Sequence, residues 1–213
     1  MAVICPTVTA FTEHSYKEQI LRLQPFAKRI HIDLMDGHFA PTTSPGLDHI
    51  WWPPEFEVDI HLMYQNPMDS LERLIHLQPR MVIIHNEAHV HHMHFAGELH
   101  KHGIKTGLAL LQDTPVEFAE QIMHSFDHVL IFSGKLGHHG GSADLGLLEK
   151  VKQIRHHHPD VEIGWDGGIS DSNAAQLING GVEVLNVGGF IQNSSNPEQA
   201  YATINEIAKN QND

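Results

Sequence analysis

The sequence predicts an α/β fold, a closed (β/α)8 or TIM barrel, with a single domain over residues 1–213. Three observations carry this expectation. Short β-type runs recur at about 25-residue spacing with amphipathic stretches between them, as parallel strands joined by helical crossovers require. Eight such units fill a chain of 213 residues and leave little for a second domain. Several runs also end on His or Asp, and a closed parallel barrel gathers its strand ends on one rim, where its sites lie. An open doubly wound sheet is the alternative use of the same elements.

The first strand is expected at 3–5, followed by a helix over 15–28. The second strand, 29–34, is apolar at Ile30, Ile32 and Leu34, and His31 and Asp33 alternate with them. Strand side chains alternate between faces, so His31 and Asp33 share one. An imidazole and a carboxylate at i and i+2 begin a metal or acid/base site. Taken alone, the same pattern also describes an edge strand whose polar face meets water. Residues 46–52 offer only a short or irregular helix, closed by Pro53 and Pro54.

The third strand, 57–61, alternates Val58 and Ile60 with Asp59 and His61. A helix over 67–77 leads to the fourth strand, 81–85, which ends on His85; a helix over 91–102 leads to the fifth, 105–110. A helix over 115–125 precedes the sixth strand, 128–132. The glycine-rich segment from Gly134 to Gly141 follows, with Lys135, His138 and His139, and is expected to cap the site. Lys135 there either offers charge to a phosphate or faces solvent. A helix over 145–157 leads to the seventh strand, 162–166, which ends on Asp166 just before Gly167 and Gly168. A helix over 172–179, an eighth strand at 184–187, Gly188-Gly189 and a last helix over 197–209 complete the chain. His31, Asp33, Asp59, His61, His85 and Asp166 are therefore all expected at one rim. They are hard to read as solvated edges, because a closed barrel has none.

Composition narrows the function classes. With 41% hydrophobic and 18% charged residues the chain suits an ordinary domain with a full core, and no apolar run approaches a membrane span. Residues 1–6 lack the basic start and long apolar core of a signal peptide. Cys5 has no partner, which excludes a disulfide framework and points to the cytoplasm. A formal charge of −13 argues against nucleic acid as a partner, so any phosphate must be held locally, by backbone amides or a metal. The 20 His residues include two groups, His89, His91, His92, His94, His100 and His102, and His156 to His158, which read as exposed helix surface.

Four segments, HIDLMDGHFAP (31–41), DIHLM (59–63), HNEA (85–88) and WDGGI (165–169), resemble in sequence and order the signatures of the ribulose-phosphate 3-epimerase family. The set is specific, whereas DGG alone would be weak. The resemblance implies one divalent ion, Zn, Fe(II), Mn or Co, on His31, Asp33, His61 and Asp166, a ligand mixture suited to such ions. It implies Asp33 and Asp166 as the two acid/base groups inverting C3 of a phosphorylated ketose such as ribulose 5-phosphate, through an enediolate. Met35, Met63 and His85 are implied as site-lining, with ordinary core Met the plain alternative for the first two. Gly140-Gly141, Gly167-Gly168 and Gly188-Gly189 are implied at the phosphate, with a tight turn needing positive φ as the alternative for each pair. A homo-oligomer in the pentose phosphate pathway is implied as well.

Departures from the family pattern concern the substrate side. Ala10 stands where a serine is expected near the end of strand one, with Thr7 or Thr9 as partial substitutes. The segment 133–141 is rebuilt, Phe132 replaces a Met, Gly189 replaces a Ser, and Trp165 replaces a small aliphatic but is turned away from the barrel interior by strand parity. Two alternatives keep the fold. One is a related phosphosugar enzyme, a hexulose-phosphate 3-epimerase or a decarboxylase. The decarboxylases need a Lys on strand three, where this chain reads Asp59-Ile60-His61. The other is a non-catalytic descendant that binds a phosphorylated ligand.

Overall fold

A computed structural model describes residues 1–138 and 140–211; His139 lies outside the described residues. Eight strands close into a barrel in sequence order: β1 (Val3–Thr9), β2 (Arg29–Met35), β3 (Glu57–Met63), β4 (Met81–His85), β5 (Lys105–Leu110), β6 (His128–Phe132), β7 (Glu162–Asp166) and β8 (Val184–Val187). Every neighbouring pair is parallel, and β1 closes on β8 with Val3 opposite Val184. The (β/α)8 expectation is met. Among the described residues no helix is long and apolar enough to cross a membrane.

The helices are α1 (Glu13–Leu23), α2 (Leu71–Leu77), α3 (His92–His100), α4 (Glu120–Met123), α5 (Leu148–His157), α6 (Ala174–Asn179), α7 (Gly189–Gln192) and α8 (Pro197–Asn210). Thr12 starts α1 through a capping box with Ser15. The helix stops at Leu23 rather than at 28 because Pro25 cannot continue it. The expected short helix at 46–52 is a single turn, with the His49 amide bonded to the Gly46 carbonyl at 2.9 Å. The expected helix over 115–125 is divided into a 3₁₀ turn (Val116–Phe118) and the one-turn α4. β1 runs four residues past its expected end, through Pro6, since Val3 to Pro6 pair with β8 while Thr7 to Thr9 pair with β2.

Strand parity sorts the core. Ile30, Ile32, Leu34, Val58, Ile60 and Leu62 face outward and join Tyr16, Ile20 and Phe95 of the helices in the large apolar cluster between sheet and helix ring. Trp165 belongs to this outer layer, as parity required, and donates its indole N–H to the Gly167 carbonyl at 3.1 Å. Inside the barrel, Met81, Ile83, Ala109 and Leu130 form a separate apolar plug.

Asp59 is not at the site rim, contrary to the sequence expectation. It is opposite His31 in the register, whereas His61 is opposite Asp33, one inward-facing level higher. The expectation counted both inward positions of the strand as its end, but only the second reaches the rim. Asp59 is 1% exposed and accepts from Arg29 Nε and Arg80 Nη1, each at 2.7 Å. Glu162 accepts from the other two guanidinium nitrogens of Arg29 and from His128 Nδ1. This network closes the N-terminal end of the barrel. Replacing Asp59 by Ala would leave two guanidiniums short of a buried partner, and should cost about 3–5 kcal/mol. Urea unfolding measures it; a loss below about 1 kcal/mol would show the network to be dispensable.

Candidate active site

The opposite end of the barrel is a cavity of about 450 Å³. That size suits a small-molecule ligand. Its floor is built by strand ends. β2 supplies Asp33 and β7 supplies Asp166 to its lining, and His31 of β2 and His61 of β3 lie fully buried against these two. One ligand atom from each lies within 4.8 Å of the other three. Asp33 Oδ1 is 3.0 Å from His61 Nδ1 and 3.2 Å from His31 Nε2; Asp166 Oδ2 is 3.7 and 3.8 Å from the same two nitrogens.

This group could hold a metal ion. Ligand atoms about 2.0–2.2 Å from an ion sit roughly 3 to 3.5 Å from one another, which these separations approach. The donor set is two imidazoles and two carboxylates. His31 is fully buried, yet neither of its ring nitrogens has a hydrogen-bond partner among the described residues. Its Nε2 is within ion-pair distance of Asp33 but not aligned for a hydrogen bond. A buried imidazole without hydrogen bonds is costly, and coordination removes that cost.

The two carboxylates are electrostatically opposed. Burial works against ionising Asp33, but contacts with His31 and His61 outweigh it and hold the carboxyl well below its usual range. Thr9 Oγ1 also donates to Asp33 Oδ2 at 2.6 Å. Asp166 is pushed up to about 7, first by burial and then by the charge of Asp33. Burial lowers His61 to about 3 in spite of Asp33. Burial also works against a charged His31, but Asp33 and Asp166 outweigh it and raise its pKa.

His85 stands behind this group. Its Nε2 is 2.9 Å from His61 Nε2, and its Nδ1 is 3.5 Å from Glu87 Oε2. Glu87 Oε1 accepts from the Leu111 amide at 3.2 Å and from Thr114 Oγ1. If His61 offers the Nδ1 lone pair to the cluster, its Nε2 must carry the proton. His85 Nε2 then accepts it, and His85 Nδ1–H faces the Glu87 carboxylate. Such an outer chain fixes the tautomer of a metal-binding imidazole. Phe132 packs on both rings, with centroids 5.7 Å from each.

The cavity wall carries most of the other expected residues. Met35 and Met63 line it, as do Gly140, Gly141, Gly167, Gly168, Gly188 and Gly189. For Gly167 and Gly168 the turn alternative holds too, at φ +111° and +70°, and there is a stricter reason for both. A Cβ on Gly167 would fall 2.2 Å from the Gly134 nitrogen, and one on Gly168 2.1 Å from the Ala143 nitrogen. The two glycines let the segment after β6 lie directly on the end of β7. That segment does border the cavity, through Gly134, Lys135, Gly137 and His138. Lys135 is the one Lys or Arg among the described lining residues, and its side chain is also exposed to solvent.

Ala10 is buried but does not line the cavity, whereas Thr7 and Thr9 both do. Their inward parity on β1 could have been read once β1 was known to continue past Pro6. The sequence reading also missed Glu87 and Asn186. Asn186 lines the cavity from β8, and the polar residue in Val184-Leu185-Asn186-Val187 is the signal that singled out His31 and Asp33 on β2. The exposed-surface reading of the His groups largely holds, with two differences: His92 is half-buried with Nε2 3.0 Å from the His85 carbonyl, and His158 is half-buried with its Nε2 closed to solvent. Among the described residues none of these His joins a metal-binding group of three or more.

The chain is similar to known proteins in sequence and in fold. Residues 3–191 match the profile described as the Ribulose-phosphate 3 epimerase family. The chain is 30% identical over 186 residues to "Ribulose-phosphate 3-epimerase" of Helicobacter pylori (strain J99), covering 84% of this chain and 85% of that one. It is 29% identical over 200 residues to the protein of the same name from Aquifex aeolicus, covering 90% of each. Among solved structures, 3-hexulose-6-phosphate synthase from Salmonella typhimurium superposes with a TM-score of 0.73 at 12% identity, over 99% of this chain and 100% of that one. That last likeness is one of fold.

Proposed function

From the premise that this chain belongs to the ribulose-phosphate 3-epimerase family, and so is a carbohydrate epimerase, we propose the reaction its site performs. It inverts C3 of a ketose phosphate, ribulose 5-phosphate or a close analogue, by loss of the C3 proton to one carboxyl group and return of a proton from a second. The observation that carries this reading is the meeting of Asp33 and Asp166, from β2 and β7, in one buried group with two imidazoles. Contacts with His31 and His61 favour the ionised form of Asp33, whereas burial and the neighbouring Asp33 favour the protonated form of Asp166. A pair pushed apart in this way is suited to one base and one acid.

The steps balance. Asp33 takes the C3 proton, and the electron pair of the broken C–H bond moves into the C2 carbonyl to give a planar enediolate. Asp166 returns its own proton to C3 from the opposite face. The turnover leaves Asp33 protonated and Asp166 ionised, ready for the reverse reaction or for exchange with solvent. Thr9, bonded to Asp33 Oδ2, leaves Oδ1 to face the imidazoles and fixes the plane of the carboxylate. A divalent ion held by His31, His61 and the two carboxylates would act as a Lewis acid and stabilise negative charge on the substrate oxygens. The glycine corners after β7 and β8 receive the phosphate, beside the one-turn α7.

Metal-loaded protein incubated with ribulose 5-phosphate in deuterated water should form xylulose 5-phosphate labelled at C3. A panel of hexulose phosphates, run alongside, assigns chain length. If every ketose phosphate is returned unlabelled and uninverted, the reading is wrong and a non-catalytic role takes its place.

Lys135 is the one Lys or Arg among the described residues that line the cavity, so it is the side chain placed to meet the charge of a phosphate there. Lys135→Ala should raise KM about fivefold with kcat nearly unchanged, the effect of one solvent-screened ion pair of about 1 kcal/mol. Steady-state kinetics at low salt measures it; an unchanged KM means that Lys135 serves only solubility.

A further inference from the structure

Asn186 is 2% exposed, and neither its Nδ2 nor its Oδ1 has a hydrogen-bond partner among the described residues. Leaving a buried amide unpaired costs about 1–3 kcal/mol, and an apolar side chain of the same shape would avoid that cost. Its neighbours on β8, Val184, Leu185 and Val187, are apolar and buried. Asn186 is among the residues that line the cavity described above, so a molecule held there is placed to supply the partner that the buried amide lacks.

Its position is specific. In the register Asn186 is opposite Asp166, and both side chains point into the barrel. Paired strands are about 4.8 Å apart, so the amide stands one strand to the side of that carboxyl. Directly after β8 ends at Val187, Gly188 and Gly189 begin the corner assigned to the phosphate. Asn186 therefore lies between the inverting carbon and the phosphate. An amide that can both give and accept a hydrogen bond matches a hydroxyl, which can do the same.

We propose that Asn186 is a specificity-determining residue that binds the substrate hydroxyl on C4, the carbon next to the reacting one on the phosphate side. This rests on the epimerase reading above and adds to it. The site selects a polyhydroxylated chain between its carbonyl and its phosphate, rather than a phosphate at the right distance alone.

The test uses metal-loaded protein and two substrates, ribulose 5-phosphate and its 4-deoxy analogue, which keeps the ketone, the C3 hydroxyl and the phosphate. The wild-type kcat/KM should favour the hydroxylated substrate at least about a hundredfold, because the analogue leaves a buried amide unpaired. Asn186→Leu, close in shape and without polar atoms, should bring that ratio below about tenfold, mainly by loss of the hydroxylated substrate. Metal affinity, measured by chelator competition, should be unchanged, and the thermal midpoint equal or higher. Asn186→Ala should narrow the ratio in the same way and serves if the Leu variant does not fold. A variant that keeps the full wild-type ratio would overturn the proposal and assign the amide to water. Wild-type turnover of both substrates at similar rates would overturn it too, while leaving the epimerase reading intact. Failure of the wild type on every ketose phosphate would remove both.

Discussion

Asp166→Asn should abolish inversion while sparing half of the chemistry. Asparagine keeps the shape of the side chain but has no proton to return from the far face. The kcat for epimerisation should fall by roughly 10³-fold or more, at the upper part of the range for a lost acid/base group. Asp33 would still remove and replace the C3 proton of one epimer, so turnover in deuterated water should label that epimer without forming the other. Asp33→Asn should do the same from the opposite epimer. Metal content must be matched between the variants, since both carboxyls are in the group that could hold the ion. Exchange from the same epimer in both would contradict the two-base reaction and leave one mobile acid/base group. Stability gives a second readout. Asp166 has a raised folded pKa, so the stability it contributes is full below its unfolded value near 4 and is lost as pH rises through about 7. Metal-free Asp166→Asn should therefore gain on the wild type in denaturant midpoint as pH rises from 4 to 8.

Removing the metal, or the side chain that best fits it, should have an effect of similar size. After rigorous chelation, activity should fall by at least about 10³-fold and return when a divalent ion is added back. His61→Ala should lose metal affinity itself, read by chelator competition, and not only turnover. His61 is the side chain tied both to Asp33 and to the outer chain of His85 and Glu87, so its loss disconnects two shells at once. Affinity should also weaken on acidification. The pKa of His31 is raised, and its ring must shed that proton to become a ligand, so binding competes with protons as the pH falls. Full activity in the chelated protein, or tight binding by His61→Ala, would rule out the metal centre.

The two residues most often singled out by pattern, His31 and Asp33, were legible because alternation along a strand is local. Any chain that reads Ile30-His31-Ile32-Asp33-Leu34 as a strand must turn that pair to one side. The glycines after β6, β7 and β8 were legible for a similar reason, although the sequence could not say that Gly167 and Gly168 are required by the backbone of residues 134 and 143 packed against them. Asn186 carried the same signal as His31 and was overlooked, because a single polar residue in a short strand has nothing nearby to support it.

Asp59 marks the limit of that reasoning. Parity put it on the inner face with His61, and both statements hold. Parity has no information about height along the barrel axis. Height depends on the stagger between strands, which is set only when the sheet closes and β1 meets β8. In the closed barrel the Arg29 side chain reaches Asp59 and Glu162, and Asp59 became part of a structural ion network at the closed end. It raised His61 to Asp33 at the open end. The local pattern thus determined the fold class, the faces of the strands and the residue types available for chemistry. The closed barrel decided which of them meet: burial works against ionising both aspartates, and contacts with His31 and His61 outweigh it at Asp33 alone.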